Sequence, residues 1–357
     1  MSGKGVDFSR MPDEERIAMA ERIFIKYPRL KEILSKVDQC HRHAKLTAEP
    51  PCLFVTGPTG AGKTTISRYF RENHPRRTTE EGTVVPVLTA TIPSPASVKS
   101  LATSLLDSLG DPIPDKGSTV SQTYRLYRLM GKCEVELVIL DEFQHIIDRE
   151  RLKVLNTAAD WLKNLVNHTG KPMVLMGMPG ADKILDANDQ LERRFSSRMT
   201  LEPFGWGTKT REDDFRRFLQ VLDENLPFNT RSQLASWETA LRIHYATGGV
   251  VGKVMALVRT ATAKAVRDGQ DRITLDRLSN AYEEKWGIAQ RLRRGEKYTN
   301  PFEAAAGTLA EEPPSASSAD ESGTMSGGGH SRRRVGGIFG GPGRRSIGNL
   351  IATSVGS

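Results

Sequence analysis

The 357-residue sequence has few of the features that mark membrane, secreted or disulfide-rich proteins. It has only three cysteines, Cys40, Cys52 and Cys133, and so small an odd number cannot build a disulfide framework, which predicts a reducing compartment. No apolar run approaches the roughly 20 residues of a membrane-spanning helix. The first residues, MSGKGVDFSRMPDEER, lack the apolar core of a signal peptide. We therefore expect a cytoplasmic protein with no membrane partner.

Apolar residues are also scarce, at 38% of the chain, and one region accounts for part of this low share. Residues 301–357 hold 12 of the 32 glycines and nine serines, with almost no large apolar residue before Ile338. Such a composition cannot bury a core, which predicts a flexible, largely disordered tail over residues 291–357. Within it, residues 332–340 combine basic and apolar side chains, and they are either a docking peptide for a partner or part of a plain tether.

The charge is moderately positive, with 51 lysines and arginines against 43 acidic residues and a formal net charge of +8. Five acidic and five basic residues cancel within residues 301–357, so the excess belongs to residues 1–300. This balance is compatible with nucleic acid as a partner but does not establish one.

Short apolar runs alternate with longer helical stretches between residues 51 and 203. They are typical of buried strands in a parallel sheet covered by helices on both faces, and they lie at residues 52–56, 84–90, 137–140, 173–176 and 199–201. Helical spacing predicts N-terminal helices at 14–26 and 29–43 and only helices after Trp206. The sequence thus predicts an N-terminal helical segment (1–48), an α/β sandwich with a parallel sheet (49–205), a small all-helical domain (206–290) and the tail.

A glycine-rich loop follows the first predicted strand. Residues 57–64 read GPTGAGKT and match G-x-x-x-x-G-K-[ST] between a strand and a helix. Glycines let backbone N–H groups surround phosphates, and the next helix adds the positive end of its dipole. We expect Lys63 to reach the β- and γ-phosphates of ATP and Thr64 to bind Mg²⁺. The predicted nucleotide-binding residues are Gly57, Pro58, Thr59, Gly60, Ala61, Gly62, Lys63, Thr64 and Thr65.

Two acidic residues end the third predicted strand, in the string LVILDEFQH at residues 137–145. Because a buried run does not tolerate acids, Asp141 and Glu142 must lie at the carboxyl edge of the sheet, where ligands bind in open α/β sheets. Asp141 is the expected Mg²⁺-side carboxylate, and Glu142 is the expected general base for the attacking water. Two ordinary solvated acids are the alternative. The pairing with the glycine-rich loop favours a hydrolase over a small-molecule kinase.

Three arginines, Arg193, Arg194 and Arg198, lie in the string QLERRFSSRM at residues 190–199. An arginine of a neighbouring subunit can stabilise charge on a γ-phosphate. Three arginines cannot all do so, and we favour Arg194 or Arg198 over Arg193.

Lys253 stands near the start of a predicted helix, in TGGVVGKVM at residues 247–255. It could point at the γ-phosphate across an interdomain cleft, or it could be an exposed helix lysine.

Together these motifs resemble those of AAA+ ATPases and, more narrowly, of the TniB/TnsC family of transposon-encoded ATP-binding proteins, relatives of the phage Mu B target-selection ATPase. The resemblance covers residues 13–286, and DEFQH and RRFSSR are its most discriminating parts. It implies an AAA+ αβα sandwich with a small C-terminal helical lid. It further implies ATP-bound subunits that form rings or filaments on duplex DNA, recruit a DDE transposase, work with a TniQ-type target-selection protein and leave the DNA after ATP hydrolysis.

Two positions depart from the AAA+ pattern. Gly177 and Met178 stand where many members carry a polar sensor residue at the end of the fourth strand, which predicts slow, switch-like hydrolysis. Lys253 stands where the lid sensor is often arginine, and lysine lacks the bidentate fork of a guanidinium.

The resemblance also implies that the region of the second strand faces DNA. The helix predicted at 94–110 and the loop at 111–121 offer polar donors to backbone phosphates, namely Lys99, Lys116, Ser118 and Thr119. No base-reading motif is visible, so DNA binding should be largely independent of sequence.

Other functions remain as alternatives. An ExeA-like secretion ATPase usually carries a membrane span and a peptidoglycan-binding part, and a replication-initiator-like loader usually carries a winged-helix or helix-turn-helix domain. Neither feature is visible here. A small-molecule P-loop kinase would need neither a trans arginine nor DNA.

Overall fold

A five-stranded parallel sheet organises the first two hundred residues of this computed structural model, which describes residues 7–43, 49–146, 152–186, 189–294, 298–304 and 309. The strands are β1 (Leu53–Thr56), β2 (Arg77–Thr79), β3 (Gly82–Val84), β4 (Val87–Thr91), β5 (Leu137–Asp141), β6 (Met173–Gly177) and β7 (Ser197–Thr200). The sheet has the order β4-β5-β6-β1-β7, and β2 pairs with β3 in a separate antiparallel hairpin. The five predicted strands are confirmed. The run predicted at 84–90 begins later because Val84 ends the hairpin and Pro86 separates it from β4.

Both faces of the sheet are buried. Leu53 and Val55 of β1 pack into one hydrophobic cluster, and Phe54 packs into another on the opposite face. The same alternation holds in β5 and β6. A strand covered on both sides has no solvent-facing positions, which is why these strands are continuous apolar runs in the sequence.

Helices cover the two faces. Those of the first two hundred residues are α1 (Asp13–Arg22), α2 (Pro28–His43), α3 (Lys63–Asn73), α4 (Val98–Leu109), α5 (Thr119–Lys132), α6 (Leu152–Thr169), α7 (Asp182–Asp186) and α8 (Asp189–Arg194). α2 and α3 contribute to the first cluster, and α4, α5 and α6 contribute to the second. The chain is therefore an αβα sandwich in this region.

Only helices follow β7 in the described residues. They are α9 (Lys209–Asn225), α10 (Trp237–Thr247), α11 (Val251–Arg267), α12 (Leu275–Tyr282) and α13 (Ile288–Arg294). Their apolar faces, with Phe215 and Phe218 of α9 among them, join the cluster that covers the α2 side of the sheet. The helical lid and the sandwich thus share one core.

The start of the predicted tail packs against the lid. Arg242 of α10 donates hydrogen bonds of 2.7 Å to the carbonyls of Pro301 and Ala304, and Phe302 is buried. Most of the remaining tail, including residues 332–340, lies outside the described residues.

The first predicted helix ends sooner than its periodicity indicates. α1 stops at Arg22, and Ile23 has φ −58° and ψ 123°. Pro28 begins α2, and the residue before a proline is disfavoured in a helix. Residues 23–27 therefore form a connection without regular secondary structure, and this connection becomes part of the site described below.

The three cysteines are all free and buried. Burial raises the pKa of Cys40 to about 11 and that of Cys52 to about 12, so both remain unreactive thiols at neutral pH.

Within the described part of the chain, no helix has the length and apolar character needed to cross a membrane.

Candidate active site

The glycine-rich loop lies between β1 and α3, where the sequence predicts it. The Gly57 N–H donates to the Gly177 carbonyl at the end of β6 at 3.1 Å. A Cβ atom on Gly57 would lie 2.8 Å from the Leu201 carbonyl oxygen, so only glycine fits. Gly62, with φ +113°, caps α3 in a left-handed conformation that favours glycine. The loop is thus held against the carboxyl edge of the sheet by its own backbone.

Lys63 and Thr64 begin α3 and point to different partners. Lys63 is 6% exposed, and its Nζ donates to the carbonyls of Gly57 and Pro58 at 2.5 and 3.1 Å. Thr64 Oγ1 donates to Asp141 Oδ2 at 2.7 Å. The cation therefore lies inside the loop, and the hydroxyl lies beside the acidic strand end.

Asp141 and Glu142 stand at the carboxyl end of β5, beside the loop. Asp141 is 5% exposed, and its Oδ1 accepts a hydrogen bond from the Glu142 N–H at 2.8 Å. Glu142 has φ +61°, a conformation that costs a non-glycine residue about 1–3 kcal/mol. Strain of this kind concentrates at functional sites, and here it directs the chain so that Glu142 lines the cavity next to the loop.

The residues present fit a magnesium ion. The Thr64 hydroxyl and the Asp141 carboxylate are in contact, and both offer the oxygen ligands that Mg²⁺ prefers. A Mg²⁺ ion held by these two residues would supply positive charge to the phosphates of a bound nucleotide.

A cavity of about 310 Å³ opens beside the loop. Besides the loop and Glu142, its wall includes apolar side chains of the 23–27 connection, α9 and α11, namely Ile23, Ile25, Tyr27, Phe218 and Met255. Burial raises the pKa of Tyr27 to about 12, so its ring remains a neutral, largely apolar surface. Sequence reasoning missed this wall. The alternation in IFIKY (23–27), immediately before Pro28, is the signal that could have found the connection.

The lid touches the loop directly. The Gly252 N–H donates to the Gly60 carbonyl at 2.8 Å, and a Cβ atom on Gly252 would lie 2.6 Å from that oxygen. The Phe204 N–H also donates to the Gly249 carbonyl at 3.0 Å. The glycines of the TGGVVG string therefore allow α11 to begin in contact with the loop.

Lys253 is half-buried in the first turn of α11, and the cavity wall does not include it. Its predicted sensor role stays a prediction. The cation that α11 presents to the cavity is Arg259, which sequence reasoning missed. Arg259 lies 3.5 Å from the Glu21 carboxylate and donates to the Ile23 carbonyl at 3.3 Å. It therefore links the lid to the 23–27 connection.

The three candidate trans arginines differ in their surroundings. Arg194 contacts Asn167 and lies 3.5 Å from the Glu49 carboxylate, and Arg198 lies 2.7 Å from the Asp186 carboxylate. Arg193 is exposed at the end of α8 and forms no ion pair within the described residues.

The predicted DNA contacts lie on α4, on the loop before α5 and at the first residue of α5, which begins two residues before the predicted end of the loop. Lys99 is exposed in the first turn of α4, and Lys116 and Ser118 are exposed in the loop. Ser118 also caps α5 through Ser121, and Thr119, the first residue of α5, is half-buried. Lys116 lies 3.5 Å from its neighbour Asp115, which reduces its net charge effect.

Two residues that sequence reasoning missed hold this loop in place. Arg125 of α5 donates to Asp111 Oδ2 at 2.5 Å and to the Ile113 carbonyl at 2.8 Å. Gln122, which is fully buried, donates to the Pro114 carbonyl at 2.7 Å. Polar side chains of α5 therefore hold the loop in one conformation.

The fold and the site define an AAA+ P-loop ATPase, and solved structures share this fold. The chain is similar to the ORC2 protein of Aeropyrum pernix in ADPNP–ADP complexes, with 17% identity, a TM-score of 0.52 and coverage of 74% of this chain and 71% of that one. It is also similar to Cdc6p of Pyrobaculum aerophilum, with 14% identity, a TM-score of 0.54 and coverage of 78% and 73%. The ORC1 protein of Aeropyrum pernix in complex with DNA gives 16% identity, a TM-score of 0.52 and coverage of 79% and 71%. At these identities the likeness shows the fold alone.

The family follows from the sequence match. A family model described as Bacterial TniB protein matches residues 16–205, more than half of the chain, so the chain belongs to the TniB family. The predicted fold class, family and ATPase activity are confirmed. A search of curated proteins found no significant match.

Proposed function

We propose that this ATPase is an ATP-dependent DNA-binding regulator of transposition. In this proposal it oligomerises on duplex target DNA, recruits a DDE transposase, works with a TniQ-type protein and leaves the DNA when ATP is hydrolysed. It acts in the cytoplasm and joins the nucleoid when it is on DNA. The observation that carries the proposal is a P-loop in contact with an acidic strand end, within a chain that the TniB model matches.

The residues divide the work between binding and chemistry. The N–H groups of residues 57–65 and the Lys63 ammonium bind the phosphates of ATP. The apolar wall of the cavity contacts the adenine ring. Thr64 and Asp141 hold Mg²⁺. Glu142, which lines the same cavity, takes the proton of the attacking water.

Arg193 is the arginine best suited to act on a neighbouring subunit's ATP. Arg194 and Arg198 are close to carboxylates of their own chain, and withdrawing a guanidinium from such a partner costs free energy. Arg193 is exposed and has no ion pair in the described residues. The sequence favours Arg194 or Arg198 instead, and that preference stays the alternative prediction. Lys253 is kept as a lid sensor that contacts the γ-phosphate after the lid moves.

DNA binding uses Lys99, Lys116, Ser118 and Thr119 as donors to backbone phosphates. The support is a polar, exposed loop that Arg125 and Gln122 hold in one conformation, which lowers the entropy cost of binding. A protein of similar fold, ORC1 of Aeropyrum pernix, was solved in complex with DNA.

The proposed domain organisation has four parts, with boundaries at residues 48, 205 and 290.

Electron microscopy tests the proposal. The protein is incubated with duplex DNA and a non-hydrolysable ATP analogue, with ADP, or without nucleotide, and is imaged in negative stain. We expect rings or filaments only with DNA and the analogue. Their absence would contradict the proposal.

The variant Glu142→Gln tests the role of Glu142 in hydrolysis. With ATP, it should retain the assemblies that the wild type loses, and loss of DNA binding in this variant would contradict the role of Glu142.

An initiator-like loader is the second candidate, since a chain with the fold of the ORC and Cdc6 proteins is compatible with either function. Both candidates bind DNA with ATP, but only a transposition regulator stimulates strand transfer by the transposase of its own element. A strand-transfer assay with that transposase therefore separates them.

A further inference from the structure

Gln144 joins two parts of the active site. Its Nε2 donates a hydrogen bond to Glu142 Oε2, and its Oε1 accepts one from the Met178 N–H at 3.0 Å. Met178 directly follows β6, whose last carbonyl, that of Gly177, accepts from the Gly57 N–H. The side chain therefore links the proposed base to the strand end that supports the P-loop.

The two partners fix the orientation of the amide. A backbone N–H needs an acceptor and a carboxylate needs a donor, so only one placement of the Gln144 oxygen and nitrogen satisfies both. Glutamate at this position has the same shape but no donor. Alanine has neither group.

The strand end itself has no room for a polar side chain. A Cβ atom on Gly177 would lie 3.1 Å from Ala181 Cβ, 3.3 Å from Phe143 Cβ and 3.4 Å from Gln144 Oε1. A side chain there would begin in a space already occupied by Ala181, Phe143 and Gln144. The polar side chain that contacts both Glu142 and the end of β6 thus comes from the segment after β5.

We infer that Gln144 is a positioning residue that holds the Glu142 carboxylate in the orientation needed to activate water. The inference rests on the proposed role of Glu142 as the general base. Glu142 already begins in a fixed backbone conformation with φ +61°, and Gln144 fixes the far end of the same side chain. His145 Nε2 lies 3.5 Å from the same oxygen, a longer contact than the amide makes. A carboxylate held by one oxygen keeps the other for the proton of water.

The test compares Gln144→Glu and Gln144→Ala with the wild type in ATP hydrolysis and nucleotide affinity. We expect kcat to fall by about 10- to 100-fold in both variants, because a displaced base loses most of the usual contribution of general-base catalysis. The KM for ATP and the affinity for a fluorescent ATP analogue should stay within about twofold, since Gln144 does not line the cavity and the Gly57 N–H keeps its bond to the Gly177 carbonyl. Melting temperatures show whether both variants fold.

Gln220→Glu is the matched control. Gln220 Nε2 donates to Glu224 Oε1 at 3.2 Å on the exposed side of α9, so the exchange removes the same kind of donor far from the chemistry. This control should hydrolyse ATP at the wild-type rate.

A double variant decides whether Gln144 acts through Glu142. If it does, Gln144→Glu should slow the Glu142→Gln enzyme no further, because no base remains to position. A Gln144→Glu enzyme with wild-type kcat would overturn the inference, as would a full additional loss in the Glu142→Gln background. Wild-type hydrolysis by Glu142→Gln alone would instead overturn the assignment of the base, and the inference with it.

Discussion

The two ends of the nucleotide cavity are built in different ways. The phosphate end consists of backbone groups and short polar contacts around Lys63, Thr64 and Asp141, with distances of 2.5 to 3.1 Å. The opposite end is an apolar wall from three separate segments, the 23–27 connection, α9 and α11. Polar contacts that are short and buried can respond to charge at a phosphate, whereas an apolar wall can only favour or disfavour binding. We therefore expect changes at the phosphate end to lower kcat, with or without a loss of ATP affinity, and changes at the wall to raise KM and leave kcat nearly unchanged.

Lys63→Ala tests the phosphate end and should have the largest effect. The ammonium is buried, and its charge-assisted hydrogen bonds to phosphate are worth roughly 3 kcal/mol together, or about 100-fold in ATP affinity. Hydrolysis should fall below detection. Calorimetric titration with an ATP analogue measures the affinity, and Lys36→Ala, which removes a lysine of α2 that does not line the cavity, is the control. Undiminished ATP affinity in Lys63→Ala would mean that the loop does not bind phosphate.

Arg193→Ala asks whether the phosphate end is completed by a second subunit. An arginine supplied in trans is worth about 10³-fold or more in kcat where it has been measured. We expect a loss of that order in DNA-stimulated hydrolysis, with ATP affinity of the isolated subunit unchanged. Arg194→Ala and Arg198→Ala are matched controls on neighbouring positions and should lose far less.

Mixing subunits sharpens the Arg193 prediction. An Arg193→Ala subunit with an intact ATP site should recover activity beside a Glu142→Gln subunit, which assembles with ATP and has the arginine but does not hydrolyse its own ATP. No recovery in any ratio would place Arg193 outside the neighbouring site. A large loss in Arg198→Ala would restore the preference drawn from the sequence.

The same two ends differ in how far the sequence predicts them. The residues of the phosphate end lie in two short stretches of sequence, 57–64 and 137–145. Within each stretch, the spacing and the preceding strand predict the role of each residue. The wall depends on where α1 ends and on which face of α11 meets the cavity. Both are determined by tertiary packing, which the local sequence does not reveal. Arg259 is one of several arginines with helical spacing, so nothing local distinguishes it. Gln144 lies within the LVILDEFQH string, but its role depends on the Met178 N–H, 34 residues away in the chain.

Arg259→Ala tests the wall and should have a moderate effect. Without its hydrogen bond to the Ile23 carbonyl and its contact with Glu21, the 23–27 connection is less firmly held against the lid. A loss of about 1 kcal/mol corresponds to a five- to tenfold increase in KM. We expect kcat to stay within about twofold. Arg277→Ala, which removes another lid arginine that lies 3.0 Å from Asp268, is the control. A fall in kcat with unchanged KM would break the division between the two ends.

The smallest effect is expected outside the cavity, in the combined variant Lys99→Ala and Lys116→Ala. Each phosphate contact releases about one counterion, so losing both should lower the slope of log affinity against log salt by about two. The affinity itself should fall only severalfold at physiological salt, since Asp115 already lies 3.5 Å from Lys116. ATP hydrolysis without DNA should not change, because neither lysine lines the cavity. Lys31→Ala with Lys209→Ala removes two exposed lysines from other helices and should leave the salt slope unchanged. Equal slopes in both double variants would move the DNA contacts away from α4 and its following loop.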